Sequence, residues 1–469
     1  MFVGRKSELS QLRHCLDLKR SKVIVVYGRR RVGKTELIRQ ACGQSALFFE
    51  GLENQSKSQQ IENFLFQLKL QTGKDYSDER PRNWREAFVL LLNAVGKKGK
   101  YTTIVLDEFQ WMANYRSEIV SDLKMVWDQY LSRAGNLSLI LCGSIASFMM
   151  ERFVKSGAFY GRTDLIIHLK SFCLTETAEM LGKKGTEEIL DAQMLVGGVP
   201  RYLELLRPET SLRLGLDKLA FSPNGYFLGE YDRIFTSHFG RNPDYLRIVE
   251  TLASHLYGLK RKELAERARV DPGGSLSEHL QNLEAGGFLS SANPFHVGHQ
   301  SRLIKYYLID PYLRFYFAFI RPNLKKVQTG ATSDIFSRLC QTGKFHSWMG
   351  RSFEYVCADH AGRIAELLGF SGIDFTYGPF FDRSERAPGV QIDLAFDRAD
   401  HVITLCEMKF SRSPVSVSII EEMERKVAAL QGRFPNRTIQ KVLVVRGRAG
   451  RQLTARGYFY RIIQAEELF

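Results

Sequence analysis

The sequence predicts a multidomain α/β protein: a parallel-sheet core, a helical segment, a small helix-and-strand module and a second α/β domain. Three observations lead there. At 469 residues the chain is too long for one hydrophobic core, since a domain takes roughly 150 residues. KVIVVYG (22–28), TTIVLDEF (102–109) and LSLILCGS (137–144) are continuous apolar runs, as strands buried on both faces of a parallel sheet require. Amphipathic helical stretches separate them, the alternation of a doubly wound domain.

Composition narrows the class. Hydrophobic residues make up 44% and charged residues 25%, ordinary for a globular protein. No run approaches the roughly 18 uncharged apolar residues of a membrane helix, and the first residues lack a secretory apolar stretch. The seven cysteines (15, 42, 142, 173, 340, 357 and 406) show no CxxC or other ligand spacing, which argues against a zinc site and a disulfide framework. The expectation is a cytoplasmic protein with no membrane partner. The formal charge of +15 suits a polyanionic partner but equally an ordinary basic surface.

Along the chain, residues 1–170 read as the sheet core and 171–240 as a helical lid that includes LVGGVPRYLELL (195–206). Residues 241–325 read as three short helices with a turn before the third, then strand-like residues, the order of a winged helix. Its recognition helix is expected near 275–283, where Ser275, Ser277, His279, Gln281 and Asn282 stand without Arg or Lys. Weak or sequence-independent contact follows better from that than readout of guanines. Lys260, Arg261, Lys262, Arg267 and Arg269 are phosphate-contact candidates or a solvated basic face. The aromatic run YYLIDPYLRFYFAFI (306–320) is expected to be a buried helix. Residues 326–469 form the second α/β domain, with a helix, strands around Asp393 and Glu407, a helix and a further strand.

The chemistry concentrates first in Gly28-Arg29-Arg30-Arg31-Val32-Gly33-Lys34-Thr35, a GxxxxGK[ST] loop between an apolar strand and a helix. Glycines let backbone N–H groups turn inward around phosphates; Lys34 reaches the β/γ oxygens, and Thr35 offers an oxygen to Mg²⁺. The strand TTIVL ends in Asp107-Glu108, carboxylates that are costly there without a cation or donors. Asp107 is placed for the Mg²⁺ shell and Glu108 for the attacking water. Ser144, ending the third strand, is a candidate γ-phosphate sensor, and Arg162 a candidate for neutralising transition-state charge, within one subunit or between two. This predicts an enzyme that binds and hydrolyses ATP.

FVGRKSEL, GRRRVGKT, LDEFQW, LCGS, YGR, GGVPRYL and YYLIDPYLRFYFAF together resemble the archaeal-type ATPases of the AAA+/STAND-related P-loop class. The resemblance spans essentially the whole chain. It implies an AAA+-like core, Gly4 and Arg5 beside the adenine or ribose, and Pro200 of Gly198-Val199-Pro200 packed on the base.

The C-terminal segment carries Glu354 in GRSFEYV, Asp393 in VQIDLAF and Glu407-x-Lys409 in TLCEMKF. Ile392, Leu394 and Phe396 alternate with Asp393, Ala395 and Asp397, and a hairpin centred near Asp400 sets Asp393 opposite Glu407, with Lys409 on the same face as Glu407. Facing carboxylates repel, and a divalent cation turns that cost into binding. Read without context, D-x₁₃-ExK is a salt-bridged surface hairpin. It also resembles the PD-(D/E)xK nuclease superfamily, although Ile392 stands where the motif has proline. The resemblance implies a restriction-endonuclease-like fold, Glu354 supplied by the first helix, Asp393 and Glu407 holding Mg²⁺ or Mn²⁺, and a catalytic Lys409. Lys426, on the next helix, could approach the same site, although a solvated face is the plainer reading.

The leading functional expectation is an ATPase that couples nucleotide state to nucleic-acid binding, DNA favoured, and to metal-dependent phosphodiester cleavage. The alternative is an ATP-dependent switch or scaffold whose C-terminal domain binds without cutting. A ring-forming motor is the third, and homo-oligomers are compatible with all of them.

Overall fold

The computed structural model describes the chain apart from residues 1, 19, 44–45, 96–100, 114–117, 155–158, 160, 240–241, 294–303, 331–333 and 383–389. Tyr160 of the YGR element and the 240/241 boundary therefore lie outside the described residues. The chain divides into two compact units, Met1–Ser171 and Phe172–Phe469.

In the first unit, β1 (Lys22–Tyr27), β2 (Ala46–Glu50), β3 (Thr102–Asp107), β4 (Leu137–Gly143) and β5 (Thr163–His168) form one parallel sheet in the order β2-β3-β4-β1-β5. Burial explains the order. The three mainly apolar runs, β3, β4 and β1, are buried at every position and occupy the centre, whereas β2 and β5 are partly exposed at the edges. Helices Lys6–Asp17 and Lys34–Cys42 cover the sheet through Leu12, Leu37 and Ile38. The carboxyl ends of β1, β4 and β3 lie side by side, the edge at which open α/β sheets take ligands.

The second unit begins with helices Leu174–Leu181, Thr186–Leu195, Pro200–Leu206 and Leu212–Ala220. A Cβ on Gly198 would fall 2.0 Å from the carbonyl oxygen of Phe172, whose N–H donates to Gly198 O at 2.7 Å. Only glycine permits that approach. Helices Pro243–Ala253, Arg261–Ala268 and Gly274–Ala285 follow with a small antiparallel sheet, β6 (Leu259–Lys260), β8 (Lys305–Leu308) and β7 (Leu289–Ala292). The aromatic run departs from the single buried helix that its composition predicts. Its start is strand β8; Pro311 then opens the helix Pro311–Phe315, and a wider turn covers Tyr316–Ile320. The proline, capped by Asp310, separates the two periods.

The C-terminal sheet has the order β13-β12-β11-β10-β9. β9 (Phe375–Asp382), β10 (Val390–Arg398) and β11 (Val402–Lys409) are antiparallel, and β12 (Thr438–Val445) and β13 (Arg461–Gln464) run parallel to β11. The β10–β11 pairs Leu394↔Cys406 to Asp397↔Ile403 centre the hairpin on Asp400, and the paired register ends one residue short of Asp393 and Glu407. Strict alternation along β10 fails, however. Its register with β9 shifts between Ile392 and Ala395, so these two residues share a core with Ile403, Leu405 and the helix Ile419–Arg433. Phe396 turns instead toward Phe370 and Phe375. Asp393 stands within the bulge, where one extra residue re-aims side chains.

Candidate functional site

At the carboxyl end of β1, Gly28 has φ +154°, and a Cβ there would lie 2.2 Å from Leu169 O. Gly33 (φ +89°) and Arg31 (φ +71°) also adopt left-handed backbone, so the loop curls with a non-glycine residue under strain. The buried Arg5 guanidinium braces it, donating to Val32 O at 3.1 Å and Lys170 O at 2.5 Å. Gly4 (φ +64°) and Arg5 (φ +59°) form the bend that brings it there. The helix Lys34–Cys42 has no capping side chain at Gly33, which leaves its first N–H groups for an anion. Lys34 Nζ, 5% exposed, rests on Arg29 O at 3.1 Å.

Two carboxylates end β3 beside this loop. Asp107 Oδ2 accepts from Thr35 Oγ1 at 2.6 Å and Oδ1 from the Glu108 N–H at 2.9 Å. Burial holds the neighbouring Cys142 thiol protonated, well above its ordinary range, with Asp107 adding to the effect. Glu108, at φ +48°, accepts from Ser144 Oγ at 2.7 Å and from the Gln110 amide, which also donates to Ser144 Oγ at 2.9 Å. Every one of these partners is a neutral donor. Glu50, opposite Asp107 in the β2–β3 register, has its carboxyl raised by burial and then by the charges of Asp107 and Glu108. Arg162 forms a two-pronged pair with Asp128, Nε to Oδ1 at 2.7 Å and Nη2 to Oδ2 at 3.1 Å. Pro200, in the second unit, opens the helix Pro200–Leu206.

These residues fit a magnesium nucleotide. The uncapped helix start, a buried lysine that donates to a backbone carbonyl, and a hydroxyl meeting a carboxylate are the donor and acceptor types that phosphates and Mg²⁺ need. Gln110 and Glu50 escape motif reading. Gln110 was visible in LDEFQW as a polar residue one helical step past the acids.

The C-terminal carboxylates are held differently. Arg351 Nη1 bridges Glu354 and Asp393, the latter at 2.6 Å, and its guanidinium lies 5.1 Å from the Tyr257 ring centre. Glu407 Oε1 pairs with Lys409 at 2.8 Å and Oε2 with Lys426 at 2.5 Å. Glu422 takes both lysines again, at 2.9 and 3.3 Å. Lys426 is therefore part of the cluster and not a solvated helix face. Burial, then Asp393, pushes the Glu354 carboxyl up to about 7, with Arg351 opposing. Among the described residues, no three His, Cys, Asp or Glu side chains converge as a metal cage. The expected pair Asp393 and Glu407 does not fit a divalent ion as arranged, because protein cations already hold Asp393 Oδ1 and both Glu407 oxygens. Arg351 was legible as an i, i+3 neighbour of Glu354 on the helix Gly343–Asp359, although its reach to Asp393 was not.

The expected recognition helix, Gly274–Ala285, keeps His279 inside, 4.5 Å from the Tyr245 ring, and Asn282 donates to the Tyr245 hydroxyl at 2.7 Å. Ser275, Glu278 and Gln281 face outward. Arg261 donates to Ser277 Oγ and to the carbonyls of Pro272 and Gly273, so it braces the turn before this helix.

Residues 2–206 match the family described as an ATPase domain predominantly from Archaea. An uncharacterized protein of Methanocaldococcus jannaschii is 26% identical over 420 residues, 87% of this chain and 88% of that protein. A 39-residue stretch, 8% of this chain, is 51% identical to 66% of an uncharacterized ATP-binding protein of the same organism. Among solved structures, the Walker-type ATPase of Pyrococcus abyssi is similar at 18% identity and a TM-score of 0.49, over 67% of this chain and 96% of that one. The ORC2 protein of Aeropyrum pernix, solved as ADPNP–ADP complexes, follows at 16% and 0.45, over 70% and 95%. No helix among the described residues is long and apolar enough to cross a membrane.

Proposed function

We propose that the first unit hydrolyses ATP at the carboxyl ends of β1, β3 and β4, and that its nucleotide state controls nucleic-acid binding by the second unit. The observation that carries the ATPase half is the meeting of Thr35 and Asp107 beneath the uncapped helix start. Backbone N–H groups of Gly28, Arg31, Val32 and Gly33 and the Lys34 ammonium would hold the phosphates, with Thr35 and Asp107 on Mg²⁺. The ion, when bound, neutralises charge on the β/γ oxygens. Glu108 accepts a hydrogen bond from the attacking water and aligns it. Ser144 and Gln110 hold that carboxylate at a fixed angle without cancelling its charge. Arg162 would serve as the charge-neutralising finger on leaving Asp128, and Gly4 and Arg5 would flank the base.

For the C-terminal domain, the winged-helix-like module and nuclease-like order support a nucleic-acid partner. Occupation of Glu354, Asp393 and Glu407 by Arg351, Lys409 and Lys426 favours the non-cleaving of the two readings. Cleavage, with Glu354, Asp393, Glu407 and Lys409 in catalytic roles, requires Arg351 to leave first. The test is Mg²⁺- and Mn²⁺-dependent cutting of labelled single- and double-stranded DNA, with and without ATP, by the parent and Glu407→Ala. Cutting lost in the variant establishes the nuclease. Intact ATPase and DNA binding without cutting by either protein supports the switch.

A further inference from the structure

Between Glu424 and Glu466 the sequence contains no Asp or Glu but repeated Arg and Lys. Several of these cations are committed: Lys426 to Glu407 and Glu422, Arg437 to Asp397, Arg446 to Asp191 and Arg461 to Glu467. Arg448 and Arg451 are exposed, as is Arg412 on the neighbouring loop. None of the three makes an ion pair or side-chain hydrogen bond with a described residue. Arg412 feels the field of Asp191, but Arg446 already pairs that carboxylate at 3.0 Å.

The backbone sets these arginines on one rigid rim. β11 and β12 end together at the pair Lys409↔Val445, and the loops that leave them are zipped. Arg446 N–H donates to Lys409 O at 3.1 Å, Val415 N–H to Arg448 O at 2.9 Å and Gly450 N–H to Val415 O at 2.9 Å. Gly447 lies so close to Ser411 that a Cβ would come 2.5 Å from its carbonyl. Asp393, Glu407 and Lys409 stand at the same edge of the sheet. Arginines held without acids on a fixed backbone are laid out for a repeating anion, and guanidinium suits phosphate oxygens by shape as well as charge.

We propose that Arg412, Arg448 and Arg451 form a track for the phosphodiester backbone of nucleic acid, running past the Glu407–Lys409 edge. The choice of nucleic acid as the polyanion rests on the function proposed above. The outward face of helix Gly274–Ala285, with Ser275, Glu278 and Gln281, offers no comparable positive surface.

The test is fluorescence anisotropy of labelled single- and double-stranded oligonucleotides across a salt series, in EDTA and without ATP, on full-length protein. The triple variant R412A/R448A/R451A should bind more weakly, with a salt slope on duplex shallower by about 0.9 per lost contact. R412K/R448K/R451K should keep the parent slope, and R433A, at the far end of helix Ile419–Arg433, should keep parent affinity. ATPase rates equal to the parent serve as the check on folding. Parent affinity and slope in the triple alanine variant would overturn the track alone, as would an equal loss per charge in R433A. A parent that binds neither oligonucleotide, or binds only phosphatidylserine vesicles, would overturn the nucleic-acid reading with it.

Discussion

The phosphate loop and the C-terminal cluster both gather carboxylates at the end of a sheet, yet they treat the charge in opposite ways. Asp107 and Glu108 are held by a hydroxyl, an amide, a backbone N–H and a serine, all neutral. Glu354, Asp393 and Glu407 are held by a guanidinium and two ammonium groups. Neutral donors orient a carboxylate and leave its charge for an incoming cation; charged donors orient it and cancel that charge. A carboxylate pattern in sequence therefore does not distinguish a metal site from a salt-bridge network. The identity of the second layer does.

The largest effect should come from removing the buried ammonium of the phosphate loop, Lys34. Lys34→Ala should lower ATP turnover by roughly 100-fold or more, about 3 kcal/mol of transition-state stabilisation, measured by steady-state phosphate release. Unchanged turnover would break the contrast on its better-supported side. Arg351→Ala probes the other side. It leaves Glu354 and Asp393 facing each other, so the second unit should lose about 3 kcal/mol in denaturant unfolding without metal. Mn²⁺ should restore part of that loss and give a bound-ion signal in electron paramagnetic resonance that the parent lacks. Equal Mn²⁺ signals in parent and variant would mean that Arg351 does not exclude the ion.

A pH series sharpens the same point. Glu354 in the folded protein titrates near 7, above the ordinary carboxyl value of 4.5, so the folded state holds a proton that the unfolded state gives up between them. Its contribution is full below that window and is lost as pH rises through about 7, at most about 3 kcal/mol. Glu354→Gln should flatten this dependence in urea melts at pH 5 and pH 8; an unchanged slope would assign it elsewhere. The smallest effect is expected from Ser144→Ala, which removes one neutral donor from Glu108. Turnover should fall about tenfold while nucleotide affinity stays within about twofold, a KM-against-kcat split that a binding role would not produce.

Local order explains how much was legible. KVIVVY, GRRRVGKT and TELIRQAC are consecutive in the chain, so the strand–loop–helix order was legible, whereas the Arg5 brace on Val32 O and the packing of Gly28 on Leu169 were not. The β10–β11 hairpin centred on Asp400 was legible for the same reason, its two strands lying next to each other in the chain. The alternation along β10 misled because a bulge has no composition signal here; it arises from the fit of β10 against β9. His279 counts among the polar residues of the expected recognition helix, but its face was not legible; packing against Tyr245 on another helix turns it in.

By itself, then, the sequence determined the strand–loop–helix order that offers backbone N–H groups and Lys34 to an anion; the meeting of Thr35 with Asp107, 72 residues on, was set by the sheet order. Which cation each C-terminal carboxylate meets was decided only by the tertiary structure. Arg351 reaches Asp393 across 42 residues and Lys426 reaches Glu407 across 19, between elements whose mutual placement depends on core packing. Side-chain charge is written in the chain; the distance over which it acts is set by the fold.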